Sequence, residues 1–340
     1  MTIIATIFVF GILVFVHELG HFLTAKAVGM RVEEFALGFG KKIVGVQKGE
    51  TLYSLRMIPL GGFNKISGMD PEEEQDERGY SSKPVWARMI VIVAGSFMNF
   101  ILPILLFFIV LMSSGVNTAS NEPVLGELID GKPAVVAGLA EGDRIVEING
   151  VKIKDWHGVV DTLKAADQPE VMITYIRDGV QSETVVTAEW EPGTKRYLIG
   201  VLPKIDHRYL EADEALITAV KQTGDIIQRM LAGLGQMVTG QTKAELAGPL
   251  GVVQMTGEVA SLGFIPLLKF MAFLSINLGI INLLPIPALD GGHFVTLVVE
   301  GIRGKAISSK KIHAIQLIGF VLLIGLMIYA TISDITRFNF

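Results

Sequence analysis

The sequence predicts a membrane α-helical protein with four transmembrane helices, a membrane-associated β-hairpin and one α+β domain outside the cytoplasm. The first observation behind this prediction is composition, since 50% of the 340 residues are hydrophobic and only 19% are charged. The second is a set of four apolar stretches, each long enough to cross about 30 Å of hydrocarbon. The third is a series of short strand-like segments, separated by turn residues, between the second and third apolar stretches.

The expected organisation has nine consecutive segments. They are transmembrane helix 1 (1–26), a cytoplasmic loop with the β-element (27–88), transmembrane helix 2 (89–112), the α+β domain (113–205), an amphipathic helix with a linker (206–262), transmembrane segment 3 (263–302), a second cytoplasmic loop (303–311), transmembrane helix 4 (312–332) and a tail (333–340). Lysine and arginine residues concentrate in the two loops, which the positive-inside rule therefore assigns to the cytoplasm. The termini, the α+β domain and the amphipathic helix then lie outside the cytoplasm.

The first apolar segment ends in two histidines and a glutamate, His17, Glu18 and His21. An ionisable residue inside a membrane span costs about 2.5 kcal/mol or more, so this group needs a compensating partner. On a helix, His17 and His21 lie one turn apart on the same face. This spacing is typical of Zn²⁺ sites in which two imidazoles bind the metal and the glutamate acts on a bound water. One alternative is a chance match on a solvated surface helix, which an apolar membrane segment argues against. A second alternative is a cleaved signal peptide, but no basic region precedes the apolar run.

The first cytoplasmic loop contains alternating strand-forming residues at 51–60, followed by Gly61 and Gly62. This pattern predicts a small β-hairpin or sheet pressed against the membrane. The hairpin is either an ordinary structural element or a sheet edge that holds an extended peptide beside the site.

The segment after the second span contains predicted strands at 124–129, 144–148, 171–176 and 183–188, with a helix at 156–165. The run 133–150 resembles the central signature of bacterial PDZ domains, through Ala137-Gly138-Leu139 and Gly142-Asp143. Such domains bind an extended peptide at a sheet edge. The alternative is an empty groove on a domain that only blocks access. Beyond it, apolar residues at helical spacing over 212–239 predict an amphipathic helix on the membrane or on this domain.

A catalytic zinc site usually has three protein ligands and an open position. Cysteine is absent from the sequence, so the third ligand must be His, Asp or Glu. Pro285 and Pro287 break the third span, and irregular backbone at membrane depth is tolerated where protein buries it or where it lines a cavity. Asp290 follows this break and is the expected third ligand, with His293 as a rival. Alternatively, Asp290 caps a helix at 291–302.

Taken together, these segments closely resemble the site-2 protease family of zinc-dependent intramembrane metalloproteases, and the resemblance extends over the whole chain. Residues 17–21 resemble the family's HExxH motif, and 282–291 resemble its N-x-x-P-x-x-x-LDG motif. The resemblance implies that His17, His21 and Asp290 bind zinc and that Glu18 is the general base.

The resemblance also implies two substrate-binding residues, which help to hold an unwound substrate. One is Asn282, and the other is Asn99 in a G-x-x-x-N element at 95–99. The chain carries one PDZ-like domain where some relatives carry two, so the filtering mechanism of two-domain members does not transfer to it.

The predicted function is intramembrane cleavage of single-span membrane proteins, such as anti-sigma factors or signal-peptide remnants, during regulated intramembrane proteolysis. The expected location is a bacterial plasma membrane, with the site near the cytoplasmic side, and the substrates are expected to have been trimmed by another protease. A net charge of −5 without a long basic run argues against nucleic acid as a partner.

Three other functions are compatible with parts of the sequence. A membrane-anchored PDZ adaptor has no need of Glu18. A transporter using intramembrane charges as a relay predicts ionisable residues in several spans and some two-fold repetition. A zinc protease acting on soluble peptides requires the motif to lie outside the membrane.

Overall fold

The computed structural model describes residues 2–69, 76–191, 196–241 and 248–338. These residues belong to two compact units, of which the first comprises Met1–Ser114 and Glu211–Phe340 and the second comprises Gly115–Leu210.

The elements are numbered along the chain. Before the second unit come α1 (Thr2–Ala27), β1 (Val32–Lys48), β2 (Thr51–Ile66) and α2 (Val85–Ser114). The second unit holds β3 (Val116–Ala119), β4 (Leu125–Leu128), α3 (Pro133–Val136), β5 (Arg144–Ile148), β6 (Val151–Lys152), α4 (Trp156–Lys164), β7 (Glu170–Arg177), β8 (Val180–Thr187), β9 (Glu189–Glu191), β10 (Arg196–Leu198), β11 (Val201–Pro203) and β12 (Ile205–Arg208). The first unit resumes with α5 (Ala212–Val238), α6 (Pro249–Ser261), α7 (Phe264–Leu283), α8 (Asp290–Arg303) and α9 (Ser309–Phe338).

Within the described residues, four helices are long and apolar enough to cross a membrane: α1, α2, α7 and residues 310–336 of α9. With the hairpin of β1 and β2 and the α+β unit, they confirm the predicted fold class. The helix α2 is central, because α1, α5, α7 and α8 all pack against it. It begins at Val85, directly after Pro84. The sequence predicts a later start, at residue 89.

The contact between α1 and α2 depends on a glycine. A Cβ atom at Gly20 would overlap the backbone carbonyl of Ala94. Small residues in this position let two membrane helices approach closely, and dispersion between their backbones then holds them together. The close approach brings the polar end of α1 against the middle of α2.

The strands β1 and β2 form an antiparallel hairpin with several register shifts. It packs against α1 through an aromatic cluster, in which Phe35 lies 5.2 Å from Phe22 and Phe22 lies 5.8 Å from Tyr53 between ring centroids. Met30 and Val32 are fully buried beside this cluster. The predicted hairpin is therefore fastened to the helix that carries the two histidines.

The second unit has a four-stranded antiparallel sheet in the order β6-β5-β7-β8. Its core includes Leu125, Ile145, Ile148 and Ile173, which are almost completely buried. The Asp143 carboxylate is also fully buried, and both of its oxygens accept hydrogen bonds of 2.7 Å from the Arg177 guanidinium. These bonds raise the pKa of Arg177 above its ordinary value. The Gly-Asp pair of the PDZ-like signature thus has a structural role.

Some elements differ from the sequence prediction. The short pairs β3–β12 and β4–β11 join residues far apart in the sequence, so no local pattern announces them. The predicted linker contains a second helix, α6, with Pro249 at its first position. The buried Asp334 carboxylate of α9 accepts hydrogen bonds from the N–H groups of Gly248 and Gly251, at 3.0 and 2.7 Å. A distant residue therefore stabilises the start of α6.

Candidate metal centre

His17 and His21 project from the same face of α1 toward Asp290, the first residue of α8. The two histidine Nε2 atoms are 3.3 Å apart. The Asp290 Oδ2 atom is 3.4 Å from the Nε2 atom of His17 and 3.5 Å from that of His21. The three atoms form a nearly equilateral triangle, and all three side chains are largely buried.

The dimensions of this triangle fit a zinc ion. Tetrahedral Zn²⁺ lies about 2.0–2.1 Å from imidazole nitrogen and carboxylate oxygen, which places neighbouring ligand atoms roughly 3.3–3.4 Å apart. The donor set of two nitrogens and one oxygen is one that zinc accepts, and it leaves a fourth position open. Among the described residues, these three are the group of histidine and carboxylate side chains close enough to share a metal ion.

The two imidazoles are oriented from behind by α2. His21 Nδ1 lies 2.7 Å from the backbone oxygen of Val91 and donates its hydrogen to it, which leaves Nε2 unprotonated toward the triangle. His17 Nδ1 lies 3.1 Å from the side-chain amide of Asn99. Asn99 is completely buried, so this contact is enclosed by protein.

Gly95 supplies the space that the imidazoles occupy. A Cβ atom at this position would overlap His21 Nε2 and lie 2.8 Å from His17 Cε1. At Gly95, the backbone of α2 therefore faces the metal-binding atoms directly, with no side chain between them. The neighbouring Ser96 hydroxyl donates a 3.3 Å hydrogen bond to Asp290 Oδ2.

Two glycines allow the backbone before Asp290 to pack closely against the start of α8. A Cβ at Gly291 or Gly292 would overlap the carbonyl oxygens of Leu284 and Ile286, respectively. The residue that caps α8 is Leu289, and no side-chain capping bond is present there. The alternative that Asp290 caps the following helix is therefore wrong. Asp290 lies inside the first turn, and its carboxylate faces the histidines.

Glu18 lies beside the two histidines and is contacted by the hairpin. The Asn64 side-chain NH₂ donates 2.8 Å hydrogen bonds to Glu18 Oε2 and to the backbone oxygen of Glu18. A Cβ at Gly62 would lie 3.0 Å from Glu18 Cγ, so the strand passes close to the glutamate. Sequence reasoning missed Asn64, since no spacing rule connects residues of a helix and a distant strand.

The remaining sequence candidates, Asn282 and His293, belong to α7 and α8. Asn282 is half-buried in the last turn of α7. His293, the rival ligand, lies outside the three-residue group, and its Nε2 is 3.3 Å from Gln316 Nε2 of α9. A cavity of about 490 Å³ lies between β2, α8 and α9, and its lining includes Asn64 and His293.

Comparison with known proteins identifies the family of this chain. The model of peptidase family M50 matches residues 5–326. The regulator of sigma-W protease RasP from Bacillus subtilis is 35% identical, over 99% of this chain and 98% of that protein. The zinc metalloprotease RasP from Bacillus licheniformis is also 35% identical, with 99% of each chain covered.

Among solved structures, the PDZ domain of an SdrC-like protein from Listeria monocytogenes is similar to part of the chain. The match covers 25% of this chain and 90% of that domain, at 21% identity and a TM-score of 0.22. The family match and the full-length relatives show that this chain belongs to peptidase family M50, the site-2 proteases.

Proposed function

We propose that this chain is a zinc-dependent intramembrane endopeptidase that cleaves the transmembrane segments of single-span membrane proteins. Membership of family M50 makes it a metallopeptidase. The proposal that cleavage takes place inside the membrane depends on the location of the triangle. Its two histidines belong to α1, a helix apolar and long enough to span a membrane, and its other faces are formed by α2 and α8.

His17, His21 and Asp290 hold the zinc ion. When bound, zinc activates a water molecule as a nucleophile and polarises the carbonyl of the scissile bond. Glu18 is the general base, which takes a proton from the water and returns it to the leaving amine. Within the described residues, the hydrogen bond to the Glu18 carboxylate falls on Oε2, so Oε1 is the oxygen we assign to proton transfer.

Asn99 orients His17 in this proposal. Its Oδ1 atom is buried and has no hydrogen-bond partner in the described part of the chain, while its amide nitrogen faces His17 Nδ1. A half-turn of the amide places Oδ1 against the imidazole, where it accepts the Nδ1 hydrogen. His17 Nε2 then keeps the lone pair that a metal ligand needs. The complete burial of Asn99 favours this role over the substrate contact that the family resemblance implies.

The substrate must be unwound before it can be cut, because a helix hides its carbonyl groups in hydrogen bonds. Freed backbone groups need partners, since lipid provides none. We assign this role to the edge of the hairpin and to Asn282 at the end of α7. Neither is completely buried, so both have surface free for a substrate.

The lysine and arginine distribution supports a site near the cytoplasmic face of a bacterial plasma membrane, with the Gly115–Leu210 unit outside the cytoplasm. A relative named for regulation of sigma-W supports membrane-bound anti-sigma factors as one substrate class. In this proposal the Gly115–Leu210 unit excludes substrates that another protease has not yet trimmed. Deletion of residues 115–204 then allows untrimmed substrates to be cut, and an unchanged need for trimming would rule this gating out.

Reconstitution tests the proposed activity. The purified full chain in liposomes is given a lysine-flanked synthetic peptide with about 20 apolar residues interrupted by Asn-Gly. We expect mass spectrometry to locate the cut within the apolar segment, and we expect cleavage to stop with a zinc chelator and to return with Zn²⁺. Cleavage confined to the flanks, or indifferent to the chelator, would contradict the proposal.

A further inference from the structure

We propose that Asn64 is a positioning residue for Glu18, through which the membrane-associated hairpin fixes the general base. This inference rests on the proposed function, in which Glu18 takes the proton from water. It adds a residue of β2 to a site otherwise built from helices.

The orientation of the Asn64 amide is determined by its partners. Glu18 Oε2 and the Glu18 backbone oxygen both lie 2.8 Å from Nδ2, and a carboxylate oxygen and a carbonyl oxygen can only accept. The NH₂ group must therefore face Glu18. Two bonds from one amide to the side chain and main chain of the same residue fix the rotation of that side chain as well as its position. The bond to an ionised carboxylate is of the stronger, charge-assisted kind.

The strand that carries Asn64 is itself fixed relative to α1. Gly62 and Asn64 are two residues apart in β2, so they face the same side, and both contact Glu18. In the hairpin, Asn64 pairs with Phe35 of β1. The ring of Phe35 packs against Phe22, one helical turn after Glu18. An anchored strand can hold a catalytic side chain more accurately than a free loop can.

The other end of the Asn64 amide argues against a purely structural role. Its Oδ1 atom is buried and has no hydrogen-bond partner among the described residues. An unpaired buried carbonyl oxygen lowers stability, and an apolar side chain of the same shape would avoid that loss. An asparagine at this position is therefore better explained by what its NH₂ group does for Glu18 than by the stability of the fold.

The test compares Asn64→Leu with wild type in the liposome assay with the same synthetic peptide. Leucine keeps the branched shape of the side chain and removes the donor. We expect kcat to fall about 10- to 100-fold, as for other residues that orient catalytic groups. KM and bound zinc should stay at wild-type values, and the unfolding temperature should fall at most slightly, because the variant loses the unpaired buried Oδ1 together with the two bonds to Glu18. Asn64→Gln, which retains an amide, should keep more of kcat than Asn64→Leu. Gln47→Leu, at the far end of the hairpin, is the matched amide-to-leucine control and should behave as wild type.

A wild-type kcat in Asn64→Leu would overturn the inference, as would a loss of zinc or of thermal stability parallel to the loss of kcat. The Glu18→Gln variant separates this failure from failure of the proposed function. If Glu18→Gln is inactive while Asn64→Leu is fully active, only the role of Asn64 is wrong. If Glu18→Gln still cleaves the peptide, the general base itself is wrongly assigned.

Discussion

Asp290 Oδ2 lies 3.4 Å from His17 Nε2, although the two residues belong to the first and the second-last helices of the described chain. The contact joins the two sequence motifs into one site. Neither motif alone provides three ligands, so the metal centre exists only when α8 is docked against α1 and α2. The predictions below test this dependence and the packing that produces it.

Replacing the carboxylate ligand should release the metal. We expect Asp290→Ala to bind far less zinc than wild type and to lose at least about 100-fold in activity, since residues that only orient ligands already contribute about 10- to 100-fold. Metal analysis of the purified variant checks the first effect. His293→Ala is the control, because His293 lies outside the three-residue group. Full zinc content in Asp290→Ala, together with its loss in His293→Ala, would identify His293 as the ligand instead.

The site should not tolerate a methyl group at position 95. In Gly95→Ala the new Cβ overlaps His21 Nε2, so we expect a folded protein with weakened zinc binding and little activity. Gly11→Ala is the matched control, since nothing lies within 4 Å of its Cβ. Alanine favours helix at both positions. Equal zinc affinity in the two variants would show that the imidazoles have more room than the structure gives them.

The ion pairs of Glu50, at the turn of the hairpin, should make the stability of the fold depend on pH. Hydrogen bonds from Arg78 and then from Lys26 lower the pKa of Glu50 from 4.5 to about 2. Because this pKa is lowered on folding, the ionised carboxylate stabilises the folded state above about pH 4.5, and the stabilisation is lost as the pH falls toward 2. The difference in unfolding temperature between wild type and Glu50→Gln should therefore shrink over this range. A difference independent of pH would exclude the ion pairs as its cause.

The buried carboxylate of the second unit should matter for the stability of that unit. Asp143→Ala leaves the Arg177 guanidinium without its partner, and removal of one member of a buried pair typically costs about 3 kcal/mol or more. Since Arg177 is 41% exposed, water can replace part of the lost interaction, and we expect about 1–2 kcal/mol. Hydrogen exchange across Gly115–Leu210 in the full chain measures this. Asp167→Ala, at an exposed residue of the loop before β7, should leave exchange unchanged.

The sequence predicts the spans and the three ligands for a physical reason. Charged groups are rare in apolar helices, so His17, His21 and Asp290 stand out there, and helical spacing explains the pairing of the two histidines. The broken segment with Pro285 and Pro287 indicates where irregular backbone must line a site.

The supporting contacts could not be predicted in the same way. Asn64 contacts Glu18, Ser96 contacts Asp290, and a backbone oxygen orients His21. Each joins residues of different elements, and small polar residues such as Asn and Ser occur too widely to indicate such a partner. The helix α6 also depends on a distant residue, Asp334, for its N-terminal hydrogen bonds.

Intramembrane proteolysis by this chain is tested by comparing membrane-protein fragments in bacterial cells that express the wild-type chain or Glu18→Gln. The substitution retains the three metal ligands and removes the base. We predict that short single-span stubs accumulate only in cells with the variant, because they bind the site and are not cut. If cells with the wild-type chain and cells with Glu18→Gln have identical fragment profiles, both under stress and without it, intramembrane proteolysis by this chain is contradicted.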